Sequence, residues 1–383
     1  MTESAAPERS VTPSPLLERR GAVRAAGPDD GVAWHYGDPV AEARALARGG
    51  AVVDQSHLGV VTVMGPDRLS WLHSITSQSL TALAPRTSTE LLVLSAQGHI
   101  EHVAGVVDDG ETTWLLTEGA GAAPLAAWLD SMRFMLRVEV SDVSDRWAAL
   151  GEPVDAEGGE GEPVTWRDPW PRTLEGGTRY GPADADHPAH GRAWRLVLVP
   201  REDLVPAVGE REAAGWVLAG TWAAESLRVE AWRPRAGREV DHRSIPHELD
   251  WLRTAVHLEK GCSRGQETVA RVHNLGRPPR RIVMLHLDGS GHVLPDAGAE
   301  VFQGERAVGV VTSVARHHEL GPLALAVVKR SVPTDVDLEV PSDGGPVAAG
   351  QEVIVSGEGL SVDRPGPRAA TTPGLKRGPM LPG

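Results

Sequence analysis

At 383 residues the chain exceeds what one ordinary hydrophobic core supports, so two or three domains are expected, and 41% apolar content is enough to fold them. A formal charge of -14 excludes a protein that coats nucleic acid non-specifically, though not one local basic pocket. One cysteine, Cys262, excludes an intramolecular disulfide framework and a multi-cysteine zinc site, and fits a reducing compartment.

The first 30 residues are rich in Pro, Ala, Ser and mixed charge and read as a disordered tail without the apolar block of a secretory signal. No apolar run approaches the roughly 18 residues that span a bilayer, so a cytoplasmic protein without membrane contact is expected. Residues 31–150 read as an α+β region. A helix is expected from Asp38 to Arg48, with Asp38 as N-cap, Pro39 at the first helical position and Gly49-Gly50 as the stop. Val60–Met64 reads as a strand, Gly65-Pro66 as a turn, and Asp67 as the cap of a helix through Leu69, Leu72 and Ile75. A hairpin over Leu91–Leu94 and His99–Val107, a strand over Thr113–Thr117, a helix over Pro124–Met132 and a strand over Leu136–Val140 follow. The pattern implies a mainly antiparallel sheet.

Residues 151–192 break it: Glu152, Asp155, Glu157, Glu160 and Glu162 stand among glycines and prolines with no cation between them, which reads as a solvated linker or insertion. A second α+β region, 193–278, has a strand over Trp194–Val199 and helices over Leu204–Gly215 and Thr221–Ala231. Short strands with regular turn signals over 279–356 indicate a small β-barrel, and 357–383 read as a loose tail.

Gly119-Ala-Gly121 follows a strand and precedes a helix, but Pro124 stands where a dinucleotide motif needs its third glycine. The histidine pairs His99/His102, His187/His190, His242/His247 and His317/His318 lack the converging spacing of a metal site and read as surface or turn residues. No G-x-S-x-G sequence supports a hydrolase. The segment Glu259–Arg281 is different: Lys260, Arg264, Arg271, Arg277, Arg280 and Arg281 stand against only Glu259 and Glu267. Around Cys262, cations favour thiolate over thiol, and Gly261 and Gly265 imply a close turn. Two readings stay open on these grounds: a reactive thiol beside an anion site for phosphate or polycarboxylate, or a buried small side chain in a basic, salt-bridged hinge.

The run Lys260-Gly-Cys262-Ser-Arg264-Gly-Gln266-Glu267-Thr-Val-Ala-Arg271 resembles the signature of the YgfZ-type folate-binding proteins, relatives of the glycine-cleavage T-protein (aminomethyltransferase). Val61-x-Val-x-Gly65-x-Asp67, Ser226-Leu-Arg228-Val-Glu230-Ala, Ile245-Pro246-x-Glu248 and Val308-Gly309-x-Val-Thr312-Ser313 match further stretches in the expected order. The resemblance implies an α+β protein of three domains in a ring around a tetrahydrofolate channel, with a C-terminal β-barrel, acting as a monomer. It implies assembly or repair of iron–sulfur clusters in client enzymes, including a radical enzyme that modifies tRNA. By matching position Cys262 would be the functional thiol, Lys260 its companion, and Glu230 the carboxylate on the pterin edge. Arg228, Glu101, Arg264, Gln266, Glu267 and Arg271 join the folate-binding set.

The sequence also departs from that pattern. Ser263 replaces the usual aromatic after the cysteine, and Trp232 replaces a glycine. The acidic pair that T-proteins carry in a hairpin appears as Glu101-His102, and aminomethyl transfer needs a carboxylate beside the folate nitrogen. A one-carbon transferase of T-protein type is therefore the alternative activity, and a module that docks a partner through its basic stretch is a third.

Overall fold

The computed structural model describes residues 12–261, 263–291 and 293–364. Among them, seven α-helices follow the chain: α1 (Pro39–Ala47), α2 (Arg68–Ile75), α3 (Ala122–Met132), α4 (Leu204–Ala213), α5 (Thr221–Glu230), α6 (Ala236–Glu239) and α7 (Gln266–Leu275). α1 begins as its sequence dictates, with Asp38 Oδ1 accepting from the Ala41 N–H at 2.9 Å, Pro39 at the first turn and Gly49 at φ +81° after its end. At α2 the aspartate is used otherwise. Asp67 takes three hydrogen bonds from the backbone and guanidinium of Arg137, and so ties the start of α2 to a distant loop.

Two five-stranded sheets and a closed six-stranded barrel organise the chain. In the first sheet the hairpin strands Ser88–Leu94 and Ile100–Asp108 are followed by Thr112–Thr117, Gly59–Met64 and Glu139–Asp142, antiparallel throughout. α2 and α3 cover one face of it through Trp71, Leu72, Leu125 and Leu129. The second sheet orders Thr165–Arg167, Arg195–Pro200, Trp147–Glu152, Ala51–Asp54 and Val217–Ala219, and only the last pairing is parallel. The barrel is built from Arg280–Leu287, Gly321–Lys329, Arg306–His317, Glu300–Gln303, Leu338–Ser342 and Gly345–Val353, around Val283, Val308, Ala326 and Leu338. The α+β class and the barrel agree with the sequence reading.

Four expectations need correction. Residues 12–30 are packed, not a loose tail: Ser14 caps a 3₁₀ turn over Pro15–Glu18, and Leu16 enters the core of the second sheet beside Val52, Leu150 and Leu204. Asp29, from the same segment, accepts from Arg235 at 2.7 Å and Arg238 at 3.2 Å. Residues 1–11 lie outside the described residues.

Residues 151–192 are no solvated linker. Thr165–Arg167 is an edge strand, Trp170 and Tyr180 are buried, and some of the acids find cations far along the chain. Glu152 pairs with Arg195 and Arg211, and Asp184 with Arg253. Charge read locally missed these partners. The strand expected over Leu136–Val140 begins only at Glu139, because Phe134, at φ +45°, turns an exposed loop first. Of the 357–383 tail, residues 357–364 dock: the Ser361 hydroxyl lies 3.2 Å from His273 Nδ1, and Thr178 donates to Asp363 at 3.1 Å. Beyond residue 364 the tail lies outside the described residues. No helix among the described residues is long and apolar enough to cross a membrane.

Leu16 is only 1% exposed, so Leu16→Ala is expected to destabilise the protein by about 2–5 kcal/mol despite its place in a segment of disordered composition. Urea denaturation with an unchanged slope and a lowered midpoint is the expected readout. An unchanged midpoint would mean the segment does not contribute to the fold in solution.

Candidate functional site

The two sheets and α5 enclose a chamber of about 160 Å³. Its apolar walls come from Leu58, Val103, Leu116, Trp166, Trp194 and Trp251, which four separate parts of the chain supply. Gly105 lies under the Trp166 indole: a Cβ there would sit 2.6 Å from the ring, so only glycine lets the ring lie against the hairpin. Trp166 is fixed in turn by donating its indole N–H to Thr89 O at 2.7 Å.

The polar side of the chamber is a lattice of arginines and carboxylates. Arg228 grips Glu225 with two bonds of 3.0 Å, reaches Glu239 at 3.0 Å, and donates to Ser313 Oγ of the barrel at 2.6 Å. Arg233 joins Glu90 at 2.6 Å to Asp168 at 3.2 Å. Arg235 holds Glu118 with two bonds, at 2.7 and 2.9 Å, and also meets Glu225 and Asp29. Burial opposes ionisation here, yet the facing guanidinium groups keep Asp168 below the usual carboxylate range, and Arg235 with His57 does the same for Asp29. Each charge in this lattice has an opposite neighbour, which is what buried charge requires.

A second, wider basin of about 670 Å³ shares Arg192, Trp194 and Ala224 with the chamber, so the two adjoin at that constriction. Glu230 lines this basin and not the chamber, at the C-terminal end of α5. His317 Nδ1 accepts from the backbone N–H groups of Glu319 and Leu320, at 3.2 and 3.1 Å, so the ring proton sits on Nε2, 3.2 Å from Glu230 Oε2. That contact holds Glu230 below its ordinary range against partial burial.

The sequence candidates divide. Arg228 is in the chamber wall, whereas the Lys260–Arg281 cations do not converge on one anion site. Lys260 drives Nζ into the carbonyls that end α2, at 2.5 Å from Thr76 O and 3.2 Å from Gln78 O, with His73 O as third acceptor. Burial pushes its ammonium down to about 8, and the three carbonyls, which favour the charged form, work against that. Arg264 forks onto Glu101 at 2.7 and 3.3 Å. Arg280 pairs with Asp241 and Glu248, while Arg281 is buried against Val332 O and Gln351. The helix and the strand point successive cations in different directions, so a dense run in sequence becomes a dispersed set in space. Gln266 accepts from Ser263 N at 3.0 Å and donates to Lys260 O at 2.9 Å, closing the loop that carries Cys262. Cys262 itself lies outside the described residues, and Glu267 and Arg271 are exposed on α7.

The cysteine motif is keyed into the hairpin of the chamber wall. Gly265, at φ +77°, packs against Leu94 and Ser95, and Gly98, at φ +78°, against Thr268. Register slips from Val93↔His102 to Leu94↔Ile100, which makes Glu101 the extra residue of a β-bulge. A bulge re-aims a side chain; here it presents the Glu101 carboxylate to Arg264, while His102 turns to Trp128 of α3. Glu90, Glu118, Asp168, Arg192, Arg233 and Arg235 escaped the sequence reading. Only the Arg233-Pro-Arg235 spacing after α5 offered a signal. His187 and His247, read as surface or turn residues, are buried: His187 stands edge-on to Trp170 and Trp232, and His247 to Tyr180. Among the described residues no His/Cys/Asp/Glu group could hold a metal.

Gly265→Ala combines a left-handed backbone with a Cβ 2.5 Å from Ser95 O, and is expected to cost roughly 1–3 kcal/mol and to change the alkylation rate of Cys262. An unaltered midpoint and alkylation rate would show that the hairpin does not hold the motif. His247 gives a pH test. Its Nε2–H donates to Val269 O of α7 at 3.1 Å, its Nδ1 is buried without a partner, and burial pushes its pKa down to about 3. From an unfolded value of about 6.5, the unfolded state binds more protons between those limits, so this contribution to stability falls as pH drops from 6.5 towards 3. His247→Phe should flatten the pH dependence of the urea midpoint in that window; an identical slope would refute the assignment.

The GCVT N-terminal domain model matches residues 32–151, and the glycine cleavage T-protein C-terminal barrel domain model matches 280–354. Aminomethyltransferase of Moorella thermoacetica is 29% identical over 333 residues, covering 80% of this chain and 86% of that protein. Aminomethyltransferase of Thermus thermophilus is 29% identical over 333 residues, covering 82% and 89%. The crystal structure of glycine cleavage system aminomethyltransferase T from Bartonella henselae superposes with a TM-score of 0.70 at 18% identity, covering 89% of this chain and 94% of that one. Both matched domains, in their order, and the shared fold make this chain a member of the glycine-cleavage T-protein superfamily.

Proposed function

We propose that the chain is a tetrahydrofolate-binding accessory protein of YgfZ type, serving iron–sulfur enzymes through the Cys262 motif and not by transferring an aminomethyl group. The chemistry of the chamber fits the cofactor. A pterin is flat, with adjacent N–H donors on one edge and a carbonyl acceptor beside them. Trp166, Trp194 and Trp251 offer aromatic walls, Glu118 keeps lone pairs beyond the two that Arg235 uses, and Arg192 keeps donors beyond the one it gives Asp168. Bound folate would supply one-carbon chemistry at its nitrogen; the chain binds and orients it and keeps water from its ring.

The observation that carries this reading is the Glu101–Arg264 fork. Where T-proteins place two acids, this chain has one carboxylate, already engaged by the cysteine motif, and an imidazole turned to the other side. That leaves no free acid on this hairpin for aminomethyl transfer and couples it to the thiol loop instead. A second reading, folate-dependent aminomethyl transfer, is favoured by the relatives named aminomethyltransferase that align over four-fifths of the chain.

Isothermal titration of the full chain with tetrahydrofolate is expected to give binding, weakened about tenfold or more by Glu118→Gln, since a hydrogen bond to a charged acceptor contributes about 1.5–3 kcal/mol. Cys262→Ala is expected to bind folate normally and to fail in restoring activity to an iron–sulfur enzyme in cells lacking the protein. Full restoration by that variant would sink the accessory role. Folate-dependent release of one-carbon units from an aminomethyl donor would establish the transferase instead.

A further inference from the structure

The outward face of α7 and the chain beside it gather arginines around exposed aliphatic side chains. Val269 and His273 turn inward on this helix, while Arg271 and Leu275, one turn apart, face solvent, Leu275 with 79% of its surface exposed. The 357–364 segment packs along the last turn: Ser361 meets His273, and Arg364 donates to Gly276 O at 3.2 Å. Val362, between those two contacts in sequence, is 53% exposed. Arg277 and Arg330 flank the same segment, since a Cβ on Gly359 would stand 3.4 and 2.8 Å from their side chains. Among the described residues no carboxylate pairs with Arg271, Arg277 or Arg330. That sets them apart from the arginines of the chamber, each of which is bound to an acid.

We propose that this face docks the client protein, through an acidic segment that carries an apolar side chain. Such a surface presupposes the accessory role proposed above. A net charge of -14 repels an acidic partner from most of the molecule, so the unpaired arginines also select its orientation. Leu275 and Val362 supply an apolar centre, and Arg271, Arg277, Arg330 and Arg364 its charged rim. Arg330 opens on a cleft of about 580 Å³ beside Ser331, Thr334 and Ser356, whose hydroxyls can donate to a carboxylate. A nucleic-acid backbone fits this face less well. Glu358 and Asp363, both exposed, interrupt the arginines, and a run of phosphates gains nothing from exposed aliphatic side chains. α7 begins at the loop that bears Cys262, and its 10 residues span about 15 Å, so a client seated here lies within reach of that loop.

The test uses the full chain and a fluorescein-labelled peptide of glutamates flanking one leucine, read by anisotropy at low and high salt. The chain is expected to bind it, to lose affinity as salt rises, and to bind a version with serine for leucine more weakly. Arg277→Glu should weaken the leucine peptide about tenfold or more, and Arg277→Lys should retain most of the affinity. Leu275→Ser should weaken the leucine peptide and leave the serine peptide unchanged. In cells lacking the protein, Leu275→Ser with Arg277→Glu should fail to restore an iron–sulfur enzyme. The same purified double variant should keep wild-type thermal stability, tetrahydrofolate affinity and Cys262 alkylation rate. No binding by the wild type, undiminished binding by Arg277→Glu, or equal binding of the two peptides overturns the docking surface. Tighter binding of single-stranded RNA than of peptide, or full restoration by the double variant, also overturns it. The folate titration and the Cys262→Ala complementation decide the accessory role separately, so the two can fail independently.

Discussion

Eight residues of chain, from Arg228 to Arg235, hold the molecule together around its chamber. Arg228 reaches the barrel through Ser313, Arg233 joins the first sheet to the 151–192 insertion through Glu90 and Asp168, and Arg235 draws in Glu118 and the N-terminal segment through Asp29. Buried ion pairs add little net stability over apolar packing, but removing one partner leaves a charge stranded and costs about 3–5 kcal/mol. The lattice thus acts as a register: the sheets, insertion, arm and barrel are each positioned by a carboxylate or hydroxyl that has one acceptable place. A cavity with three indole walls keeps its shape because the elements carrying those walls cannot slide.

Secondary structure was legible wherever local chemistry decided it. Asp38-Pro39 and Gly49 set α1, and the short β-branched and aromatic runs Val60–Met64 and Thr113–Thr117, bounded by turn residues, set strands, because caps and turns act within a few residues. The barrel was legible for the same reason. The insertion and the N-terminal arm were not, since their order comes from partners far away in sequence. Glu152 finds Arg195 and Arg211, Asp168 finds Arg233, and Leu16 finds Val52 and Leu150. Composition measures how much a segment can bury alone; it is silent about a pocket prepared elsewhere.

The site divided in the same way. The cysteine motif could be recognised as a string, and its glycines and Gln266 are used as a tight loop would use them. The basic run does not form one patch, because Arg264, in the loop before α7, and Arg280, on the first barrel strand, go to separate acids. Glu230 stood on the right helix, yet one and a half turns beyond Glu225, and that interval moves a carboxylate out of the chamber into the basin. Glu101 depended on a bulge, which no alternation pattern in a single strand announces.

The arm also bears on how the chain is made. Asp29 emerges from the ribosome early, but Arg235 and Arg238, which neutralise it, lie 206 and 209 residues later. During synthesis the arm waits for Arg235 and Arg238, the arginines that hold its buried charge, and Leu16 has only part of its core. It must therefore stay in solvent until both sheets exist and then close the largest loop of the fold in a late step. The arm of residues 12–30 is thus among the last segments to settle, and its arrival brings Asp29 to Arg235 in the chamber wall.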